Sequence, residues 1–240
     1  MLENKEEQVI PLKHLVIMPD GDRRWARAKG LPTWEGHRRG AENIQGILEA
    51  CQELGIPYLS MWGFSTENWK RGPEEVEQLM NLFRDFIKKK RDDIIKYKIN
   101  FRHIGRKDRL APDLLEGLTQ LEKDTAHFTE WHYIVGLDYG GQDEVVRATK
   151  QIIEDVQAGK LQPDDITTDM FSEYLDTKGV PNPDFIIRTS GEQRTSGFMA
   201  YQSGYAELCF LPINFPDLTK QKLKEVVGEY YERQRRFGGS

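Results

Sequence analysis

The sequence predicts an α/β fold: a central, mostly parallel β-sheet flanked by helices, in a single domain over residues 1–240. Short β-rich runs alternate along the chain with amphipathic segments of helical period, which is the pattern of strands whose sheet is covered on both faces by helices. The 240 residues are 38% hydrophobic, enough apolar chain for one sizeable core. Because no repeat or long linker interrupts the pattern, one domain is expected.

The predicted elements follow from local patterns. A helix is expected near Asp22, after a Pro-Asp-Gly turn, and longer helices over 37–54 and 74–96, where apolar residues recur on one face. Another helix is expected after Gly141, with Val145, Val146, Ile152 and Ile153 as its apolar positions. Residues 1–12 are predicted to be a flexible N-terminal segment, too charged for a secretory signal. The predicted strands are His14–Met18, Tyr58–Phe64, Ile99–Ile104, His132–Leu137, Asp184–Arg188 and Leu208–Leu211.

Composition narrows the function classes. The formal net charge of −5 argues against a nucleic-acid partner, whereas the arginines cluster beside glycines and hydroxyl residues, which favours small anionic ligands. No run of eighteen apolar residues is present, so no membrane span is expected. Cys51 and Cys209 lie in apolar stretches and are expected to be buried, reduced thiols, which favours a cytoplasmic location.

Four polar, glycine-containing segments each follow a predicted strand directly: 19–26, 65–72, 138–144 and 189–197. In an open α/β sheet the carboxyl ends of the strands share one edge, and ligands bind there. We therefore expect these segments to converge on one site. Since P-loop, GxGxxG and CxxC motifs are absent from the sequence, nucleotide and dinucleotide enzymes are disfavoured.

The first of these segments combines a turn, a helix start and two cations. Asp20 and Gly21 turn the chain, and Asp22 opens the expected helix, whose first amides can bind phosphate oxygens. Arg23 and Arg24 can add charge-assisted hydrogen bonds to the same anion. Asp20 is a candidate ligand for Mg²⁺, which takes one or two carboxylates with phosphate oxygens and water. Taken alone, however, an ordinary Asp-Gly turn with a helix cap is the commoner interpretation.

The second segment places Ser65, Asn68 and Arg71 beside Trp69 at the end of a strand. These groups can position a substrate and pass on a proton, but Ser65 can equally be a helix cap. On this segment alone the two interpretations are even. The apolar positions of 76–87 are expected to be core, although the same residues can line an apolar tunnel.

The last segment is the most informative. Arg188 ends an apolar strand, and Arg194 and Ser196 follow within eight residues beside glycines. Two guanidiniums, a hydroxyl group and a flexible backbone are typical of a diphosphate cradle. Glu207 precedes another apolar run, and is either a second metal carboxylate or a charge at a strand edge.

Taken together, these motifs resemble a known family. HLVIMPDGDRRWA, GHRRG, FSTENWKR, DYGG, DFIIRTSGEQRTSGF, QSGYAELCF and RRFGG occur in the order found in the cis-prenyltransferases, and among them in the bacterial undecaprenyl diphosphate synthases. The likeness runs from about His14 to Gly239. It implies a homodimer with a parallel sheet and a hydrophobic tunnel, and condensation of isopentenyl diphosphate with an allylic diphosphate, typically farnesyl diphosphate. The implied product is a polyprenyl diphosphate such as undecaprenyl diphosphate.

The resemblance also implies roles for individual residues. Isopentenyl diphosphate would be bound by Arg188, Arg194 and Ser196, and Mg²⁺ by Asp20 and Glu207. Asn68 matches a proton-removing position, with Ser65, Trp69 and Arg71 around it, and Arg236–Gly238 matches a C-terminal motif that reaches the partner subunit's site. The allylic diphosphate would be bound by Gly21, Asp22, Arg23, Arg24, Trp25 and His37.

The chain also departs from the family pattern. Asp22 stands where asparagine is usual, Thr33 where bacterial members often carry arginine, and Gln193 where they carry a metal-ligating histidine. Pro19 is shared with some branching relatives, so a short-chain or lavandulyl-type branching synthase is an alternative. A non-catalytic partner subunit is a further alternative, although such a subunit could dispense with Asp20 and the arginines. Peripheral membrane association for product release stays open.

Overall fold

The structure is a computed structural model, and it describes residues 11–232. Within them six parallel strands form one sheet, with helices around it, so the predicted α/β class is confirmed. The strands are β1 His14–Met18, β2 Tyr58–Ser65, β3 Ile99–Ile104, β4 Trp131–Tyr139, β5 Phe185–Arg188 and β6 Glu207–Phe210. Their order across the sheet is β3-β4-β2-β1-β5-β6.

The direction of the strand order reverses at β1. This strand is buried along its whole length and pairs with β2 on one side and β5 on the other. Its continuous apolar sequence suits a position with both sheet faces covered. In open α/β sheets the crevice at such a switch point is where ligands bind. The segments that leave β1 and β5 therefore meet at the most favourable point of the carboxyl edge.

The helices are longer and more numerous than the sequence patterns predicted. The second helix begins at Thr33, four residues before its predicted start. Three helices were not predicted: one after β3, a short one at Thr168–Ser172 and one after the 3-10 turn at Phe215–Asp217. The helices are α1 Asp22–Ala28, α2 Thr33–Glu53, α3 Pro73–Lys96, α4 Pro112–Thr125, α5 Gly141–Gln157, α6 Thr168–Ser172 and α7 Lys220–Tyr231.

The core has two parts, one on each face of the sheet. Along β1, Leu15 and Ile17 join the larger cluster, to which α2, α3, α4 and α7 contribute, whereas Val16 and Met18 join the smaller one. This alternation is the two-residue period of a strand. On α5 the pattern is only partly as expected, because Val146 and Ile153 are 53% and 49% exposed.

Both cysteines are buried, as expected, and burial raises the pKa of the Cys51 thiol to about 12. Residues 1–10 of the predicted flexible segment lie outside the described residues, but Leu12 is packed in the core and its N–H donates to Tyr231 Oη at 3.2 Å. The implied C-terminal motif Arg236–Gly238 also lies outside them. Of the described helices, none is long and apolar enough to cross a membrane.

Candidate active site

A cavity of about 710 Å³ runs from the carboxyl edge of the sheet into the space between the sheet and α3. Polar groups come from the segments that follow β1, β2 and β5, while apolar groups come from the strands themselves and from α2, α3 and α4. Its polar lining is Asp20, Asp22, Arg23, Arg24, Arg27, His37, Ser65, Glu67, Asn68, Arg71, Arg188 and Ser196. Its apolar lining includes Met61, Phe64, Leu79, Leu82, Phe83, Phe86, Ile87, Phe101, Leu118, Tyr133 and Val135.

The chain that leaves β1 is fixed to the chain that leaves β5. The Asp20 N–H donates to Thr189 Oγ1 at 2.8 Å, and the Thr189 hydroxyl group donates to the Asp20 carbonyl, also at 2.8 Å. Gly21 then adopts φ +95°, and an added Cβ would lie 2.5 Å from Ser190 Oγ and 2.2 Å from Asn214 Oδ1. Only glycine fits this left-handed, crowded position, so the turn aims Asp20 reproducibly.

The Asp20 carboxylate lies in a network with two arginines. Arg188 Nη2 donates to Asp20 Oδ2 at 2.9 Å, and Arg24 Nη2 donates to Asp20 Oδ1 at 3.2 Å. Arg188, which is only 6% exposed, also donates from Nη1 to the Arg194 carbonyl at 2.5 Å and to Ser196 Oγ at 2.8 Å. One buried guanidinium thus joins the end of β1 to the loop after β5.

A further carboxylate joins the two exposed arginines. Glu192 Oε1 lies 2.8 Å from Arg24 Nη2, and Glu192 also pairs with Arg194. Hydrogen bonds, first from Arg194 and then from Arg24, hold the pKa of the Glu192 carboxyl below its usual range. The loop after β5 is therefore tied to α1, and the cations that the sequence singled out lie close together.

Asp22 and His37 form a pair between α1 and α2. His37 Nδ1 lies 3.1 Å from Asp22 Oδ2, and both side chains line the cavity. Within the described residues, Asp22 Oδ1 and His37 Nε2 are buried and have no hydrogen-bond partner. The two helices can approach this closely because residue 36 is a glycine. An added Cβ there would lie only 2.1 Å from the Asp22 carbonyl oxygen.

The segment after β2 is both a cap and part of the cavity wall. Ser65 Oγ accepts from the Glu67 N–H at 2.9 Å, and Asn68 Oδ1 accepts from the Ser65 N–H at 3.0 Å. The two alternatives that the sequence left open are therefore compatible, because the capping residues also line the cavity. Arg71 donates to Glu75 at 3.0 Å, which fixes this segment to the start of α3.

Three of the predicted site residues do not line the cavity in the described part of the chain. The Trp25 indole donates to Asp217 at 2.8 Å, and the Trp69 indole donates to Asp138 at 2.8 Å. Arg194 contributes its carbonyl to Arg188, while its own guanidinium turns to Glu192. These side chains therefore bind residues behind the cavity wall and do not form part of its inner surface.

Glu207 is the fourth such residue. It begins β6 and is paired in register with Phe185, at the amino end of β5. Arg188, at the carboxyl end, is three residues further along, which corresponds to about 10 Å of strand. Within one chain, strand register therefore places the Glu207 backbone level with the amino end of β5, away from the strand ends that carry Asp20 and Arg188, and its role as a shared metal ligand stays a prediction.

Sequence reasoning missed some functional side chains and underrated others. Thr189 and Glu192 were not predicted to belong to the site, although both lie in the polar segment 189–197 directly after a strand. The residues of 76–87 were expected to be core, and Leu79, Leu82, Phe83, Phe86 and Ile87 line the cavity as well. Helical periodicity shows which face is apolar, but it does not show whether that face meets other side chains or a void.

Comparison with known proteins places these features in a family. The family profile described as "Putative undecaprenyl diphosphate synthase" matches residues 17–238. An isoprenyl transferase from Clostridium perfringens is 43% identical, with 95% of this chain and 90% of that protein covered. A relative from Thermococcus kodakarensis is 40% identical, with 99% of this chain and 90% of that protein covered, and is named a tritrans,polycis-undecaprenyl-diphosphate synthase (geranylgeranyl-diphosphate specific).

Two solved structures share the fold. Lavandulyl diphosphate synthase from Lavandula x intermedia, in complex with dimethylallyl diphosphate, superposes with a TM-score of 0.92 at 34% identity. A probable undecaprenyl diphosphate synthase from Campylobacter jejuni superposes with a TM-score of 0.80 at 31% identity. In both cases 95% of this chain and 99% of the other are covered. With its parallel sheet, its cavity at the carboxyl edge and these relatives, the chain belongs to the undecaprenyl diphosphate synthase family of prenyltransferases.

Proposed function

We propose that the chain catalyses cis-prenyl chain elongation, in which isopentenyl diphosphate condenses with an allylic diphosphate to give a polyprenyl diphosphate such as undecaprenyl diphosphate. The observation that carries this proposal is the composition of the cavity. One continuous space has guanidinium and carboxylate groups at the strand ends and aromatic and aliphatic groups between the sheet and α3. An isoprenoid diphosphate has the same division, a strongly anionic head on a hydrocarbon tail.

The arginines supply the binding energy for the heads. Arg23, Arg24, Arg27 and Arg188 all line the cavity, and a guanidinium forms charge-assisted hydrogen bonds to phosphate oxygens with a fixed fork geometry. Diphosphate leaves C1 of the allylic substrate and its charge grows during the reaction. Fixed cations beside it stabilise the transition state more than the ground state.

The apolar part of the cavity surrounds the hydrocarbon part of the substrates, where positive charge develops. As the C1–oxygen bond breaks, positive charge develops on the allylic carbon, which the isopentenyl double bond attacks before a proton is lost. Side chains such as Phe83, Phe86 and Tyr133 exclude water that would otherwise capture this cation. We infer that this part of the cavity is the tunnel for the growing chain. Gly63 keeps it open, because a Cβ there would lie 2.7 Å from the Phe83 ring.

Asn68 lies in the wall of the cavity. Its amide oxygen is engaged by the Ser65 N–H, and an amide is not a strong base. We therefore infer that Asn68 positions a polar relay, together with Ser65, that carries away the proton released on condensation.

The donor set fits magnesium. Asp20 lines the cavity with a partly exposed carboxylate, and Asp22, two residues further along the chain, lines it too and has a buried Oδ1 with no partner within residues 11–232. The described residues contain no group of three or more metal-ligating side chains, but Mg²⁺ needs only one or two carboxylates when substrate phosphates complete its shell. When bound, it would neutralise charge on the departing diphosphate. Asp20, with Asp22 next to it, would hold it.

The direct test is prenyl transfer by the purified protein. With Mg²⁺, radiolabelled isopentenyl diphosphate and farnesyl diphosphate, we expect extended lipid products, resolved by chain length on reversed-phase plates. Geranylgeranyl diphosphate is the second primer to compare, because relatives at 40% identity are named as specific for it. Absence of labelled product with every allylic primer would contradict the proposed function.

A lavandulyl-type branching synthase is the second candidate. It is favoured by the TM-score of 0.92 to a lavandulyl diphosphate synthase and by Pro19 before the Asp-Gly turn. The same assay separates the two, since a branching enzyme would give a short product with dimethylallyl diphosphate and no elongation of longer primers. Retention of Asn68, Arg188 and Ser196 in one cavity supports elongation.

Replacing Asp22 with asparagine tests its electrostatic role. The variant keeps the size of the side chain and a contact to His37, but removes a negative charge two residues from Asp20. We expect a higher magnesium concentration for half-maximal turnover, by roughly three- to tenfold, on the scale of about 1 kcal/mol for a partly exposed charge. An unchanged magnesium dependence, with wild-type thermal stability, would show that the negative charge of Asp22 does not strengthen magnesium binding.

The assembly and location are inferred from the family. We infer a homodimer, and a cytoplasmic enzyme whose lipid product brings it transiently to a membrane surface. Sedimentation at micromolar concentration, with and without anionic vesicles, tests both inferences.

A further inference from the structure

Asp138 is a buried carboxylate where three segments of the chain meet. It is 0% exposed, and its backbone adopts φ +52°, which is unusual for a residue with a side chain. Arg109 Nε donates to its Oδ2 at 2.8 Å, and a second guanidinium nitrogen of Arg109 bonds its Oδ1. Trp69 Nε1 donates to Oδ1 at 2.8 Å. Each of these hydrogen bonds therefore joins Asp138 to a segment other than its own strand.

Backbone contacts reinforce the junction. The Arg106 N–H donates to the Asp138 carbonyl at 3.0 Å, so the loop between β3 and α4 is fixed to the end of β4 by main chain as well as by side chain. The Arg109 guanidinium also lies over the Trp69 ring, 5.7 Å from its centroid. Gly140 brings the chain after β4 so close to Thr66 that an added Cβ would lie 2.5 Å from its Oγ1.

The segment held by these contacts is the one that carries Asn68. It is a 3-10 helix over Thr66–Lys70, and such short helices have weak hydrogen-bond geometry of their own. Its orientation must therefore come from its anchors. Trp69 is the residue next to Asn68, and its ring packs edge-on against Phe64, at 5.2 Å between centroids, while its indole N–H reaches Asp138.

We propose that Arg109 and Asp138 are positioning residues for the reaction: through Trp69 they set the orientation of the Asn68 segment against the cavity. This inference rests on the proposed function and deepens it. Asp138 has a positive φ, and its buried carboxylate accepts hydrogen bonds from both Arg109 and Trp69. Uncommon backbone conformations of this kind are concentrated at functional sites. The bidentate contact from Arg109 also fixes the plane of the Asp138 carboxylate, and the Trp69 indole N–H donates to that carboxylate.

Two single variants and their combination test the proposal. Trp69→Phe removes the indole N–H, and Arg109→Met removes the guanidinium but keeps an apolar stem. For each we expect kcat to fall roughly tenfold, with KM for both substrates within about twofold of wild type, because the heads are bound by other residues. The double variant should have nearly the same kcat as the less active single variant. Each substitution alone already breaks the connection from Arg109 through Asp138 to Trp69, so the second adds little.

Arg102→Met is the matched control. Arg102 is another arginine near this loop, donates to the Lys178 carbonyl at 2.6 Å, and does not line the cavity, so kcat should stay at the wild-type value. A purely structural role for Arg109 would lower thermal stability and leave kcat per folded protein unchanged, and that result would overturn the proposal. Independent, multiplying effects of the two substitutions would overturn it as well.

Amide hydrogen exchange gives a readout that does not depend on catalysis. The Glu67 N–H is bonded to Ser65 Oγ and the Arg71 N–H to the Asn68 carbonyl. Both should exchange at least about tenfold faster in Arg109→Met than in Arg102→Met. Unchanged exchange would refute the positioning role even if the wild-type protein proved to have a different activity, whereas lack of prenyl transfer by wild type alone would refute only the proposed function.

Discussion

Replacing Asp20 with alanine is expected to lower turnover roughly 10²–10³-fold, the scale for loss of one preorganised electrostatic group. Asp20 is the carboxylate at the end of β1 that contacts both Arg188 and Arg24 and lines the cavity. Its removal would eliminate the proposed metal ligand and leave the buried Arg188 guanidinium without a counter-charge. Single-turnover and steady-state rates with saturating magnesium measure the loss.

Asp113→Ala is the control for loss of a surface carboxylate. Asp113 pairs with Arg84 on the outside of the molecule and does not line the cavity, so turnover should be unaffected. Exposed pairs of this kind contribute little to stability, and both variants should remain folded. If Asp20→Ala kept turnover within about threefold of wild type, Asp20 would have no part in the chemistry.

The second large effect is expected at Arg188. Arg188→Met removes the donors to Asp20, to the Arg194 carbonyl and to Ser196 Oγ, so three acceptors lose their shared partner. Truncating one member of a buried charged pair costs about 2–5 kcal/mol. We expect kcat/KM for isopentenyl diphosphate to fall at least ~10²-fold, which corresponds to about 3 kcal/mol, and the melting temperature to fall as well.

Arg188→Lys separates charge from geometry. A lysine ammonium is a point charge and cannot reproduce a planar fork aimed at three acceptors. We therefore expect Arg188→Lys to recover stability in part but to leave kcat/KM at least about tenfold below wild type. Full recovery by lysine would show that only a positive charge is needed there, and Arg102→Met, measured in parallel, should retain wild-type stability and activity.

Several features of the site could be predicted from the sequence because they are local. A strand that ends in Asp-Gly and a strand that ends in Arg188 are visible as short apolar runs followed by polar groups. Parallel strands then bring those groups to one edge, whatever the order of the strands. The predicted strand limits agree with the structure to within two residues, and the agreement is best at β1 and β5, where burial of the whole strand gives a short, mainly apolar run.

Other features depend on contacts between residues far apart in the chain. Whether Glu207 lies beside Asp20 depends on the register of β6 against β5, and register is a property of pairing rather than of composition. Trp69 was predicted to lie around Asn68 in the site, but its hydrogen-bond partner is Asp138, 69 positions later, which no spacing rule relates to it. The apolar face of α3 could likewise be recognised without showing that it borders a cavity.

By itself, then, the sequence determined the alternation of strands and helices, the polar segments at the strand ends and the residues that match the family's motifs. The tertiary structure alone decided which of those side chains face the cavity, which hold its walls, and which lie at the other edge of the sheet. The physical reason is that a segment destined for burial must be apolar, and this is visible in the segment's own residues. A hydrogen bond across 168 positions, as between Arg188 and Asp20, exists only once the sheet has assembled.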